Sequence, residues 1–480
     1  MLNNKLLEIS ENWKLEAKQE DNEKYFFHID ESKRVLNGER FYVIGRKGTG
    51  KSAISEYILN LKKYDIYSEK LSFKNFPFNE LYNLNNSGYT PPNQYITLWK
   101  YIIYSCICRL MAKNQNIDSA ARSVLNQLYP PDPIKSLSKL IDKWTTKEFG
   151  ATIMGTGAHV KVDNKFSALQ NIPWIEKTHI LEEVIEQYID NSKYYVVFDE
   201  LDEDYRIFQD ANDLSQYTYL ITSLFKAVQD VKNIFKNKKQ IICPAIFLRD
   251  DIYELIRDTD KNKWGDFRIN LEWDEDKLKK MLAFRISKVI NPNGPVLQFN
   301  EAWHSIFRKE NVGMGTRSNK RVDTFGYITL SSQLRPRDYI KYIQVCAEKT
   351  YNDGQPFISA KTVKVVDKGF SNYLKDEIVD EIHAVLPEIN TIFSIISQIR
   401  KWNFTIAEFK KTYNSYIQKG TIKEKNIDYV LQTLFNFSVI GNRPQNRDIS
   451  FFKYINKEAR FNFNENIIVH RGLFKALQIL

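Results

Sequence analysis

The sequence predicts an α/β fold, a parallel sheet covered by helices, followed by a helical unit and then a smaller α+β unit. Three observations carry this prediction. An apolar strand, Phe41 to Ile44, runs into a glycine-rich loop and a helix; a second apolar run, Tyr194 to Phe198, ends in the adjacent carboxylates Asp199 and Glu200; and strands alternate with helical spacing until Trp273, then stop. Alternation of this kind indicates parallel pairing, because each return connection must cross a face of the sheet.

Residues 1–40 are polar with helical spacing and end in the turn Leu36-Asn37-Gly38-Glu39. After the strand at 41–44, apolar residues at Ile54, Tyr57, Ile58 and Leu61 predict a helix over 52–62. A strand is expected near 65–71 and a long helix over 94–111. Residues 112–172 interrupt the pattern with polar pieces and a hairpin-like stretch at 151–162, and read as an insertion. The alternation resumes with a helix at 174–189, a strand at 194–198, a helix at 217–235, and strands at 240–248 and 268–271. Helices over 275–289, 301–309, 337–349 and 359–374 then form a helical lid. From 376 a long helix to Trp402, helices at 406–416 and 426–435, and strands at 438–440 and 451–455 predict a winged-helix-like unit. The expected divisions are therefore a helical lead-in at 1–40, a core at 41–273 with its insertion at about 112–172, a lid at 274–375 and a C-terminal domain at 376–480.

With 480 residues, 43% hydrophobic and 14% aromatic, the chain can fill two or three cores, which excludes wholesale disorder. The four cysteines, Cys106, Cys108, Cys243 and Cys346, lack CxxC spacing and read as reduced core residues. No secretory signal is expected at the start, and the apolar stretch 95–111 is interrupted by Lys100 and Arg109. The expectation is a cytoplasmic protein without a membrane partner. A net charge of +10 permits non-specific contact with nucleic acid.

Gly45-Arg46-Lys47-Gly48-Thr49-Gly50-Lys51-Ser52 fits the pattern GxxxxGK[ST]. Glycines let successive backbone N–H groups converge on phosphates while the next helix presents its positive end. Lys51 is expected to reach the β- and γ-phosphates of ATP, and Ser52 to ligate Mg2+. Asp199, ending a buried strand, is the expected metal-side carboxylate, and Glu200 is placed to polarise a water for attack. Adjacent Asp and Glu point to the P-loop division that carries an extra strand between this one and the P-loop strand, and 240–248 is its candidate. Arg249 at that strand's end is either a γ-phosphate sensor or the partner of Asp250, Asp251 or a carboxylate at the 199–200 end. Arg335 and Arg337 flank Pro336 at a helix start, where they can reach nucleotide or serve as ordinary cap and surface pairs.

Together, residues 43–54, Phe198-Asp199-Glu200-Leu201-Asp202, Phe247-Leu248-Arg249-Asp250-Asp251-Ile252-Tyr253 and Arg335-Pro336-Arg337-Asp338 resemble a prokaryotic P-loop ATPase family. That family looks like a relative of the AAA+ and STAND ATPases, including origin-recognition-type proteins. The resemblance spans roughly 25–375 and implies a P-loop NTPase of the ASCE, AAA+-like kind. It implies that Arg249 matches the sensor arginine of STAND proteins, and that Arg335 or Arg337 matches the lid arginine of AAA+ proteins. It also implies a setting in antiphage defence or DNA maintenance.

The predicted helix at 426–435 carries no basic residue, so base-specific reading of DNA is not expected; backbone contact through Lys419, Lys423 and Lys425 before it and Arg443, Arg447 and Lys453 in the hairpin, or a protein interface, is. The loop 317–321 is basic and reads either as solvated or as a grip on a polyanion. Two functions compete: a switch or motor ATPase working with a homo-oligomer or companion protein, and a slowly hydrolysing, nucleotide-dependent scaffold.

Overall fold

The computed structural model describes residues 2–72, 90, 93–129, 174–202, 211–238, 241–315, 320–445, 447 and 449–479. Most of the expected insertion, including 151–162, lies outside the described residues, as do Glu203, Asp204 and residues 317–319 of the basic loop. The chain divides into two units: residues 28–46 with 51–271, and residues 1–27 with 47–50 and 272–480.

The first unit holds a five-stranded sheet of β1 (Tyr42–Ile44), β2 (Ile66–Ser72), β3 (Lys193–Asp199), β4 (Ile242–Leu248) and β5 (Arg268–Asn270), in the order β2-β3-β4-β1-β5. Every pairing is parallel. β4 therefore lies between the P-loop strand and the strand ending in Asp199, where the sequence put the extra strand. β4 is buried along its whole length, the continuous apolar signature of a parallel strand covered on both faces. It also contains Pro244, which a central strand normally excludes. Pro244 shares its parity with Ile246, whose N–H donates to Phe41 O. The missing N–H thus faces β1's side, two residues before β1 begins to pair.

The helix Ile96–Lys113 explains the apolar run: nearly every residue from Leu98 to Ala112 is buried in this unit. Its two interrupting charges are paired, Lys100 with Glu182 and Arg109 with Glu69. Among the described residues no helix is long and apolar enough to cross a membrane. All four cysteines are buried.

In the second unit the N-terminal helix Leu2–Asn12 is more than a polar lead-in. Leu6, Ile9 and Trp13 join the same hydrophobic core as the helices Glu275–Ile290 and Pro336–Asn352, and Gln344 donates to the carbonyls of Ser10 and Trp13. Arg285 pairs with Glu20 and lies over the rings of Trp13 and Tyr25.

Three sequence expectations for this unit need correction. Strands do not stop at Trp273, since β6 (Asn311–Gly313) and β7 (Arg321–Asp323) form an antiparallel hairpin. The helix expected from 376 to 402 is two: Ala360–Ile382 runs through position 376, and Ile389–Ile399 follows. Pro387 separates them, because the residue before a proline is driven out of helical geometry. The hairpin partner is not 451–455, where Phe451 makes a single bridge to Asn442. It is β10 (Asn466–Val469), which pairs antiparallel with both β8 (Asn403–Phe404) and β9 (Ile440–Arg443). Gly441 is required beneath Phe451, whose carbonyl oxygen would stand 2.5 Å from a Cβ there. The helices Ile389–Ile399, Ile406–Gln418 and Ile427–Asn436 accompany this three-stranded sheet.

Candidate functional site

In the first unit β1 ends at Ile44, and the helix Lys51–Leu59 begins at the lysine of the motif. Between them Gly48 and Gly50 take φ values of 81° and 97°, a region that side chains rarely enter. Lys51 Nζ donates to the carbonyls of Gly45 (2.8 Å) and Arg46 (3.0 Å). Desolvation pulls its pKa below the ordinary lysine value, opposed by Asp202, Asp250 and Asp199. An ammonium resting on carbonyl oxygens can exchange them for the oxygens of an anion, with which its hydrogen bonds are charge-assisted.

At the end of β3, Asp199 is 3% exposed, and its Oδ1 accepts from the Glu200 N–H at 2.9 Å. Asp199 Oδ2 is buried without a hydrogen bond, although Lys70 Nζ lies 3.1 Å away as an ion-pair partner. Glu200 adopts φ 61°, a strained conformation for a residue with a side chain. Its carboxylate meets Ser72 Oγ on one side and Lys70 Nζ, at 3.5 Å, on the other. Lys70 also pairs with Glu56 at 3.0 Å. Burial alone would lower the Lys70 pKa; Asp199, Glu200 and Glu56 outweigh it and hold the ammonium above its usual value.

The sequence reading missed Lys70, Ser72 and Glu56. The available signal was register: Ser72 pairs with Asp199 across β2 and β3, so polar residues at the end of β2 must stand beside the carboxylates.

Arg249 follows β4 and is 6% exposed. It forms a bidentate pair with Asp251 (3.0 and 2.6 Å) and lies 3.5 Å from Asp202. The ion-pair alternative is thus present in the structure, and the guanidinium still acts electrostatically on Lys51. Lys261 donates to the carbonyls of Tyr253 and Ile256.

Lys47–Gly50 group with the second unit. There the carbonyls of Lys47, Gly48 and Thr49 accept from Arg335 Nη1 (3.4 Å), the Arg337 N–H (3.3 Å) and Trp273 Nε1 (2.8 Å). Lys47 Nζ lies 3.3 Å from Glu377 and 3.5 Å from Asp380. Arg335 is also held by Asp338 and Glu381, and Arg337 by Glu377. The Arg335-Pro336-Arg337 turn is therefore brought to residues 47–50, with its guanidiniums engaged by carboxylates and one carbonyl of that segment. A Cβ on Gly48 would stand 3.2 Å from Arg337 Cβ, a second reason for glycine there.

Among the described residues no trio of His, Cys, Asp or Glu is spaced to hold a metal by itself. The donors nonetheless fit magnesium bound with a triphosphate, which takes one or two protein oxygens and fills the rest of its shell from phosphates and water. Asp199 Oδ2, buried and without a hydrogen bond, is such a donor.

Residues 276–379 match a family described as the FunZ-associated C-terminal helical domain. No curated protein matches the chain in sequence. Solved structures similar to it include Cdc6p from Pyrobaculum aerophilum, at 11% identity, covering 93% of this chain and 89% of that one, with a TM-score of 0.28. Another is the Aeropyrum pernix ORC1 protein in complex with DNA, at 8% identity, 93% and 91% coverage, and a TM-score of 0.36. A third is Drosophila ORC bound to DNA, at 11% identity, 93% and 83% coverage, and a TM-score of 0.25. Likenesses this loose lend the chain no function, and what it does must be read from its own side chains.

Proposed function

We propose that this chain is an AAA+/STAND-like ATPase that binds ATP with Mg2+, hydrolyses it through Glu200, and acts as a nucleotide-dependent switch or motor. The observation that carries the proposal is Lys51, a desolvated ammonium on the carbonyls of Gly45 and Arg46, in the field of Asp199, Asp202 and Asp250. In this reading the N–H groups from Lys47 to Ser52 cradle the phosphates, and Lys51 moves its donors from carbonyl to phosphate oxygen. Ser52 Oγ and Asp199 hold the metal, which when bound supplies positive charge against the β- and γ-phosphate oxygens. Glu200 accepts the proton of the attacking water at its carboxylate. Arg249, tethered by Asp251 and Asp202, senses charge at the γ-position, and Arg335 and Arg337 couple the loop carbonyls to the lid.

Phosphate release by the purified protein, compared with Lys51→Ala, tests the reading. Loss of Lys51 is expected to weaken ATP binding about 100-fold, the worth of one strong charge-assisted contact. A wild-type rate equal to that of the variant removes hydrolysis from the account.

The slowly hydrolysing scaffold is favoured by one observation: Glu200 is engaged by both Ser72 and Lys70. For partners, the proposal includes a homo-oligomer or companion protein and non-specific nucleic-acid contact. The helix Ile427–Asn436 carries no basic residue, so any grip is on phosphates rather than bases. Binding of single- and double-stranded DNA across a salt series reads this directly, and an absence of salt-sensitive binding removes nucleic acid. The setting carried by the resemblance, antiphage defence or DNA maintenance, is testable by phage plating on cells expressing wild type or Lys51→Ala.

A further inference from the structure

Lys70 is a charge in an unexpected place. Its ammonium stands 3.0 Å from Glu56 Oε1, 3.1 Å from Asp199 Oδ2 and 3.5 Å from Glu200 Oε1. These carboxylates come from three different parts of the first unit: the helix after the phosphate loop, the last residue of β3 and the strained residue that follows it. All are largely buried, with side-chain exposures of 12% for Glu56, 4% for Asp199 and 18% for Glu200. Three buried carboxylates this close repel one another strongly unless a cation sits among them. Lys70 is that cation, and it uses the oxygen of Asp199 that accepts no hydrogen bond.

We propose that Lys70 is a positioning residue that competes with the divalent metal for Asp199 Oδ2. While the ammonium is there, Asp199 and Glu200 are held together without a metal. A magnesium ion needs about 2.0–2.1 Å to the same oxygen, which places its double charge against the ammonium. Metal alone is therefore rejected; metal arriving with the negative charge of a triphosphate displaces Lys70 from Asp199. The ammonium keeps Glu56 as its second anchor, and Glu200 is released from it. The lysine thus couples acceptance of the metal to freeing of the base. This inference rests on the reading of Asp199 as the metal-side carboxylate.

The test uses Mn2+ and full-length protein without nucleotide, following free Mn2+ by electron paramagnetic resonance. Wild type is expected to bind Mn2+ weakly, and Lys70→Met at least about tenfold more tightly, because a like charge has been removed from beside the site. Lys70→Arg, which restores the charge, should return to the wild-type value, and Lys70→Met with Asp199→Asn should lose the gain. Should the Met variant fail a thermal-melt check of folding, Lys70→Gln carries the same expectation. Equal Mn2+ affinity of wild type and the neutral variants overturns the proposal, as does a gain that survives Asp199→Asn. ATP binding by wild type, measured in parallel, separates the two failures: its absence defeats the ATPase reading, whereas the Mn2+ comparison uses no nucleotide.

Discussion

The two ends of β3 both carry hydrogen-bonded or ion-paired carboxylates, part-buried at one end and largely buried at the other, and they hold them in opposite ways. Just before the strand, Asp190 accepts four hydrogen bonds from neutral donors: Ser192 N–H (3.1 Å) and Oγ (2.7 Å), Tyr194 Oη (2.7 Å) and Asn114 Nδ2 (2.9 Å). Burial alone would raise its pKa, but the bonds from Ser192, Tyr194 and Asn114 outweigh it and hold the carboxyl below the usual range. At the other end, Asp199, Glu200 and Glu56 share one ammonium on a flexible stem. Fixed dipoles fasten a carboxylate in place and suit a structural joint. A single long-stemmed charge can be exchanged for another, which suits a site that must accept a ligand.

The largest way to sharpen this contrast is Glu200→Gln. It keeps size and neutralises the proposed base, so turnover should fall by about two orders of magnitude or more while ATP binding persists, read by phosphate release against equilibrium binding. A loss of binding equal to the loss of rate would break the functional assignment of that end.

At the opposite end, Asp190→Ala should cost about 3 kcal/mol, because buried Asn114 and Tyr194 lose their acceptor, and should leave ATP affinity unchanged. Asp190 also gives the contrast a pH signature. A carboxyl whose folded pKa is depressed contributes stability above its unfolded pKa of about 3.9, and that contribution is lost as pH falls through the lower folded value. The gap in melting temperature between wild type and Asp190→Asn should accordingly shrink as pH is taken from 6 towards 3.

The smallest expected effect is that of Ser72→Ala. Removing its contact with Glu200 should raise turnover about two- to tenfold, the range of one net hydrogen bond. An unchanged rate would mean that this contact does not restrain the base.

The features legible in sequence were those with a strong local signature. Short buried runs bounded by turn signals, such as Tyr194–Phe198, read as inner strands, and the motif around Lys51 fixes a strand, a loop and a helix start together. Asp199 and Glu200 were legible because they end such a run. Lys70 was not: in a strand of mixed polarity a lysine reads as solvated, and only the pairing of Ser72 with Asp199 reveals what it faces. The N-terminal helix is legible as a helix but its core position is not, because Leu6, Ile9 and Trp13 are too few to announce one until the helices Glu275–Ile290 and Pro336–Asn352 supply the rest of the core. In the C-terminal unit, the expected strand at 451–455 had suitable apolar content, but β10 took the pairing. Apolar content cannot decide which of two segments pairs with β9.

Among the described residues β2 stands at the end of the sheet order, paired with β3 alone. A parallel strand points its amides alternately to either side, so about half of those in β2 look away from the ladder. Opening such a strand breaks one set of bonds, and its protons should exchange with deuterium faster than those of β4, which is paired on both sides. The residues that restrain the two carboxylates thus ride on the part of the sheet with the shortest memory, and the rate at which β2 forgets its protons sets a ceiling on any gating of Glu200 that needs the whole strand to move.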